Sequence, residues 1–182
     1  MATKLSVDEQ WRMFMTGMHP KERRNRHLFG LLPKDPRCKL CNAPFEGIGS
    51  MIMKLLYKKV RSKVSPRFCN SCQNFAANHM GGVEIEMSML FADVRGSTSL
   101  AERMSPFEFN KVLNRFYKTA TDVLVRSDAF VDKLVGDEVI GLYIPAFAGP
   151  DHSRIAIESA KELLRATGHG SQDGPWIPIG IG

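Results

Sequence analysis

Asp93 closes the apolar run Leu90-Phe91-Ala92-Asp93-Val94 and is followed at once by Arg95-Gly96-Ser97-Thr98. A carboxylate at the end of a buried strand, beside a Gly-Ser-Thr turn that opens a helix, suits a divalent cation bridging to phosphate. The carboxylate supplies a hard oxygen ligand, and the amides of a helix start attract the anion. Gly96 lets the backbone approach closely, and Ser97 or Thr98 can cap the helix. Asp137 stands in the turn Gly136-Asp137-Glu138, between two short apolar runs. If those runs pair beside the first strand, Asp137 comes near Asp93. Two such carboxylates can hold a pair of Mg²⁺ or Mn²⁺ ions about 3.5–4 Å apart. Taken singly, an aspartate in either setting is more often a cap or a turn residue.

A second chemistry is written in Cys38-x2-Cys41 and Cys69-x2-Cys72, two knuckles separated by 27 residues. Each pair can aim two sulfurs at one ion, and together they supply the four thiolates of a structural Zn²⁺ site. An iron–sulfur cluster is the rival, since it also takes four cysteines, and a set of buried thiols is the plain alternative. His27 and His79 are spare ligands that a full set of cysteines leaves unnecessary. The protein is read as cytoplasmic, where thiols stay reduced and metal ligation is favoured over disulfides.

The segment from Phe91 to Thr98 resembles the first metal motif of class III adenylate and guanylate cyclases. Lys133-Leu134-Val135-Gly136-Asp137 resembles their second, at a matching separation and strand order, and the resemblance covers residues 83–182. It implies that Asp93 and Asp137 are the catalytic carboxylates and bind two Mg²⁺ or Mn²⁺ ions per active site, with the Val94 carbonyl as a further ligand. It implies that the backbone of Arg95, Gly96, Ser97 and Thr98 lies along the β- and γ-phosphates. Lys133 falls where adenylate cyclases carry a base-reading lysine and guanylate cyclases usually carry Glu, so the implied substrate is ATP. An ammonium there donates to N1 of adenine, whereas guanine presents a donor. The implied reaction is attack of the ribose 3′-oxygen on the α-phosphate, releasing pyrophosphate. It takes place in a head-to-tail homodimer whose sites draw metals from one subunit and base-reading residues from the other. The family's transition-state Asn and Arg, and a further base-reading residue, lie downstream of Ile179-Gly180-Ile181-Gly182. The sequence therefore reads as a C-terminally truncated cyclase, expected to hold the metal half of a site and to have negligible activity alone. Its paired-cysteine layout is similar to that of cyclases with a short cysteine module ahead of the catalytic domain.

These residues need elements to hold them. Residues 83–94 begin in alternation and end as an apolar run, predicting a strand that enters a covered sheet. A short helix is expected over 96–104, and Ser105-Pro106 starts a longer one to about 126, with Phe109, Leu113, Phe116, Ala120 and Leu124 on one side. Strands at 129–135 and 139–144 flank the Asp137 turn as a hairpin. Asp151 is expected to cap a helix to about 167 that stops at Gly168, and 176–182 reads as a further strand. The order β, α, α, β, β, α, β predicts an α+β, ferredoxin-like cyclase core, here incomplete. Upstream, 5–18 reads as an amphipathic helix with Leu5, Trp11, Phe14 and Met15 on one side. The KERRNRH run at 21–27 shows no apolar period. Residues 51–64 read as a basic amphipathic helix with Ile52, Leu56, Val60 and Val64 at steps of four.

Three segments follow: a helical, basic stretch over 1–27, a four-cysteine zinc-type module over 28–80, and the cyclase-like domain over 83–182. Residues 1–80 hold fifteen Lys and Arg against five Asp and Glu; residues 81–182 hold ten against fourteen. The halves thus have different surfaces. No stretch has the eighteen or so apolar residues of a membrane-spanning helix, and the N-terminus lacks a signal-peptide pattern. The basic surface is read as a solvated face that packs on the acidic half or its dimer mate. Nucleic acid or an anionic membrane surface is the other reading. A different function class also fits: a catalytically inactive zinc-containing adaptor that binds nucleotide or partners.

Overall fold

The computed structural model describes residues 6–33, 36–78 and 82–182, with Lys133, Leu134 and Val135 described by backbone alone. The chain divides into two compact units, Met1–Ile85 and Glu86–Gly182. Leu5, His79 and Gly81 lie outside the described residues.

The first unit opens with α1 (Val7–Met15), started by a reciprocal capping box between Ser6 and Glu9. It is tied down by rings: Phe14 stacks on Phe75 at 5.0 Å and Trp11 tilts against Phe75 at 5.4 Å. The basic run without apolar period is helical, inside α2 (Pro20–Gly30). Pro20 presets the first turn, Lys, Glu and Arg are good helix formers, and a single buried anchor, Phe29, replaces an apolar stripe. Phe29 meets Tyr57 edge-on at 5.1 Å. The helix expected over 51–64 is displaced: α3 is Gly47–Tyr57, ended by Lys58 in the left-handed region at φ 50°. Its buried residues are Gly49 and Met53, while Leu56, Val60 and Val64 are exposed, so of the set spaced by four Ile52 alone is half-buried. The cause lies beyond the helix. The chain must fold back so that Arg61 bridges to Cys69 and Val60 accepts from the Asn70 amide at 2.8 Å, and a helix to Val64 would forbid both. The last helix of this unit is α4 (Asn70–Asn78).

In the second unit β1 (Ser88–Val94) is shorter than expected and is followed by α5 (Ser97–Arg103) and α6 (Pro106–Arg126). Then come β2 (Phe130–Val135), β3 (Glu138–Tyr143), the unforeseen turn of helix α7 (Pro145–Ala148), α8 (His152–Ala166) and β4 (Ile179–Ile181). The sheet order is β2-β3-β1-β4, antiparallel throughout. This is the α+β arrangement the sequence implies. Ser105 and Glu108 cap α6 reciprocally. Leu90, Ala92 and Val94 alternate inward from β1 to meet Phe116, Ala120 and Leu124 of α6 and Leu163 of α8. Asp151 sits before α8 as expected but caps no amide; its carboxylate pairs with Arg154 at 3.3 Å instead. Among the described residues no helix is long and apolar enough to cross a membrane.

β2 carries an irregularity. Val131 pairs with Gly141 and Leu134 with Val139, so Asp132 and Lys133 together oppose the single residue Ile140. That is a β-bulge.

Gly141 marks a close contact between sheet and helix: a Cβ there would stand 2.7 Å from Leu124 Cδ2. Gly141→Val should cost about 1–3 kcal/mol by overpacking a core with no slack. Urea unfolding followed by tryptophan fluorescence reads the loss, and an unchanged midpoint would show that this contact does not constrain α6.

Candidate functional site

Because β1 and β3 run antiparallel in one register, the Asp93 end of β1 lies beside the Asp137 turn. Asp93, next to last in β1, stands opposite Glu138, and the Val94 amide donates to the Asp137 carbonyl at 3.3 Å. Both aspartates are half-buried. They offer oxygen ligands of the kind Mg²⁺ and Mn²⁺ take, at a strand end and a facing turn, so the residues present fit such ions. Gly96 supplies the left-handed cap of α5 at φ 67°, a geometry that costs other residues strain. Neither Ser97 nor Thr98 is the cap, as had been expected; both lie within the helix.

On the other side of β1, Asp93 pairs with Gly180 of β4. Directly paired residues share a face of the sheet. A Cβ on Gly180 would stand 2.7 Å from Arg95 Cζ, so the Arg95 guanidinium rests on the face that carries Asp93. Lys133 lies on β2 within the bulge, and its side chain is outside the described residues.

Two residues that the sequence left unnoticed support this corner. Gly180 is one, because a Cβ there would push the Arg95 guanidinium from its present place. Tyr117 of α6 is the other: its hydroxyl donates to the Gly136 carbonyl, pinning the turn from the helix side. Burial and the nearby Asp137 charge push the Tyr117 pKa up, so it stays a donor. Its place on the apolar side of α6 was legible, but its partner nineteen residues on was not.

In the first unit the four cysteines converge. All are buried, and their sulfurs lie within 4.8 Å of one another. Cys41 Sγ and Cys69 Sγ are 3.7 Å apart. A tetrahedron with Zn–S bonds of about 2.3 Å has edges of about 3.8 Å, so the cluster has the size of a zinc site. Hydrogen bonding among the thiols lowers the pKa of Cys38 and Cys69 and raises that of Cys41 and Cys72. Without a cation the sulfurs share protons rather than ionise together.

The knuckles are held by backbone. Asn42 takes a left-handed φ of 63° and its amide donates to the Cys38 carbonyl at 2.8 Å; the Cys69 amide donates to Cys38 Sγ at 3.2 Å. Arg26 reaches the carbonyls of Lys39 and Leu40 at 2.7 and 3.1 Å, and Arg37 those of Phe29 and Asn42 at 2.8 and 3.1 Å. Lys59 Nζ lies 3.5 Å from Cys41 Sγ and 4.0 Å from Cys69 Sγ. Burial works against that ammonium, but Cys41, Cys69, Cys72 and Glu22 outweigh it and raise its pKa. Asn70 brackets it, accepting from the Val60 amide and donating to the Lys58 carbonyl, both at 3.1 Å.

No family model matches the chain. An adenylate cyclase of Anabaena cylindrica is 30% identical over 100 residues, which are 53% of this chain and 20% of that protein. An uncharacterized protein of Mycobacterium tuberculosis is 31% identical over 64 residues, 35% of this chain and 12% of that one. Among solved structures, the guanylyl cyclase Cya2 is similar at 28% identity and a TM-score of 0.51, over 57% of this chain and 55% of that one. The chain thus spans a fifth or less of these curated relatives.

Tyr117→Phe removes the donor to the Gly136 carbonyl and nothing else. It should lower stability by about 1 kcal/mol, the net worth of one such hydrogen bond. Urea titration measures this, and a variant as stable as the parent would show that the turn holds without the helix.

Proposed function

We propose that the C-terminal unit, a class III nucleotide cyclase catalytic domain by fold and sequence, serves the conversion of ATP to cyclic AMP and pyrophosphate. The observation that carries this reading is the pairing of Asp93 with the Asp137 turn beside the glycine-capped start of α5. Asp93, Asp137 and the Val94 carbonyl hold two Mg²⁺ or Mn²⁺ ions, which when bound supply activation of the ribose 3′-hydroxyl and charge neutralisation on the triphosphate. The backbone of Arg95, Gly96, Ser97 and Thr98 lies along the β- and γ-phosphates. Lys133 donates to N1 of adenine. Two copies of the domain associate head to tail, each completing the other's site. In the first unit Cys38, Cys41, Cys69 and Cys72 hold one structural Zn²⁺, with reduced thiols suited to the cytoplasm. Lys59 offsets part of the negative charge of the four thiolates.

Two measurements test these readings. Calorimetric titration with Mn²⁺ should show binding to the parent that Asp93→Ala and Asp137→Ala weaken at least tenfold, and equal affinity in all three would remove the site. With Mn²⁺ present, ATP should outcompete GTP for the parent, and Lys133→Glu should erase that preference; an unchanged preference would sink the assignment of Lys133.

Protein purified without added metal should contain about one zinc per chain. Iron with visible absorbance would overturn the zinc assignment. Lys59→Met should keep the zinc but lose it to a chelator severalfold faster than the parent, with Lys59→Arg close to the parent.

A further inference from the structure

Neither site uses the outer side of α3. The inner side packs closely: Met53 is fully buried, and a Cβ at Gly49 would stand 2.7 Å from Pro44 Cγ. The outer side is apolar as well. Ile48, Met51 and Leu55, spaced to share one helix face, are 72, 69 and 81% exposed, and Leu56 beside them is 69% exposed. A helix that is apolar all round is ordinarily buried, and a contiguous exposed patch of large apolar side chains marks a contact surface.

The charge around the patch is predominantly basic, with Glu46 at the N-cap of α3 the acid beside it. Residues 47–68 hold six Lys and Arg (Lys54, Lys58, Lys59, Arg61, Lys63 and Arg67) and no Asp or Glu. Lys54, Lys58, Arg61 and Lys63 are exposed.

We propose that α3 docks on an anionic lipid bilayer, with Ile48, Met51, Leu55 and Leu56 in the headgroup–acyl boundary and the four exposed cations at the headgroup phosphates. The helix lies in the surface and does not cross it, since eleven residues are too few to span. Charge selects this occupant. A second copy docked through the same face would bring an equal set of cations against the first, whereas each basic residue near an anionic surface adds roughly fivefold in affinity. The four apolar side chains include no aromatic ring and no hydrogen-bonding group. They define a depth of burial, not the shape of a protein groove. The proposal does not depend on nucleotide chemistry in the second unit.

Co-sedimentation of the full 182-residue chain with vesicles tests it, using phosphatidylcholine alone against a 70:30 mixture of phosphatidylcholine and phosphatidylglycerol. Binding to the anionic vesicles should be at least tenfold tighter and should weaken steeply as salt is raised. Leu55→Ser with Leu56→Ser should reduce it on the order of tenfold, as should Lys58→Glu with Lys63→Glu. Zinc content equal to the parent's reports that each variant is folded, and the comparison of vesicles and salts in the parent needs no variant. Absence of binding to anionic vesicles, equal binding to both compositions, or binding unmoved by Leu55→Ser with Leu56→Ser would overturn the proposal. So would dimerisation in sedimentation equilibrium that the same variant abolishes, because the face would then belong to a second copy.

Discussion

The register of β1 against β3 is the constraint from which the C-terminal unit follows. Pairing runs without a break from Ser88–Tyr143 to Asp93–Glu138. A slip of one residue would turn Leu90, Ala92 and Val94 away from α6 and α8, and it would carry Asp93 away from the Asp137 turn. Burial of the alternate side chains and the placing of Asp93 beside the Asp137 turn are therefore one requirement. The absent side chain at Gly141, under Leu124, adds a second check on the same register, because only that position lets the helix settle so close.

The N-terminal unit answers a different problem. Its buried apolar residues are few, and among its most enclosed side chains are the cysteines themselves. Order comes from backbone carbonyls gathered by Arg26 and Arg37 and from the sulfur cluster. A small module with so little apolar interior gains stability from whatever occupies that cluster, so folding and ligation are coupled. Lys59 belongs to the same logic: a half-buried cation is tolerated because it faces sulfurs.

What was legible in the sequence was what is local. The turn after β1, the hairpin around Asp137 and the two cysteine knuckles each declare themselves within a few residues, and the fold then brings them together as their spacing suggests. The capping box at Ser105 and the buried side of α6 follow from the same short-range rules. What stayed hidden depends on partners far along the chain. Tyr117 shows its role only against Gly136, Gly180 only under Arg95, and Asn70 only around the Lys58–Val60 backbone. The region 51–64 misled for the same reason. Its spacing by four is real, but the return of the chain to Cys69 overrides helix propensity after Tyr57, and α3 turns out to be apolar on the side away from the module. The basic run over 21–27 misled in the opposite sense, since one buried phenylalanine suffices to seat a helix whose other residues favour that state.

The bulge in β2 has a consequence for how this strand can vary. Upstream of it, Ala129 and Val131 keep the phase dictated by burial beneath the helices; downstream, Leu134 and Val135 keep the phase dictated by the turn. The extra residue works as a phase slip between two frames. Val131 and Leu134, three residues apart, stand opposite Gly141 and Val139, two residues apart, so positions 132 and 133 share the one place opposite Ile140. A single deletion at position 132 would restore alternation while keeping Val131 opposite Gly141, Leu134 opposite Val139 and the number of residues from Lys133 to Asp137. Counting residues back from Asp137 therefore identifies a position in such a strand, while the bulge sets that count apart from simple alternation.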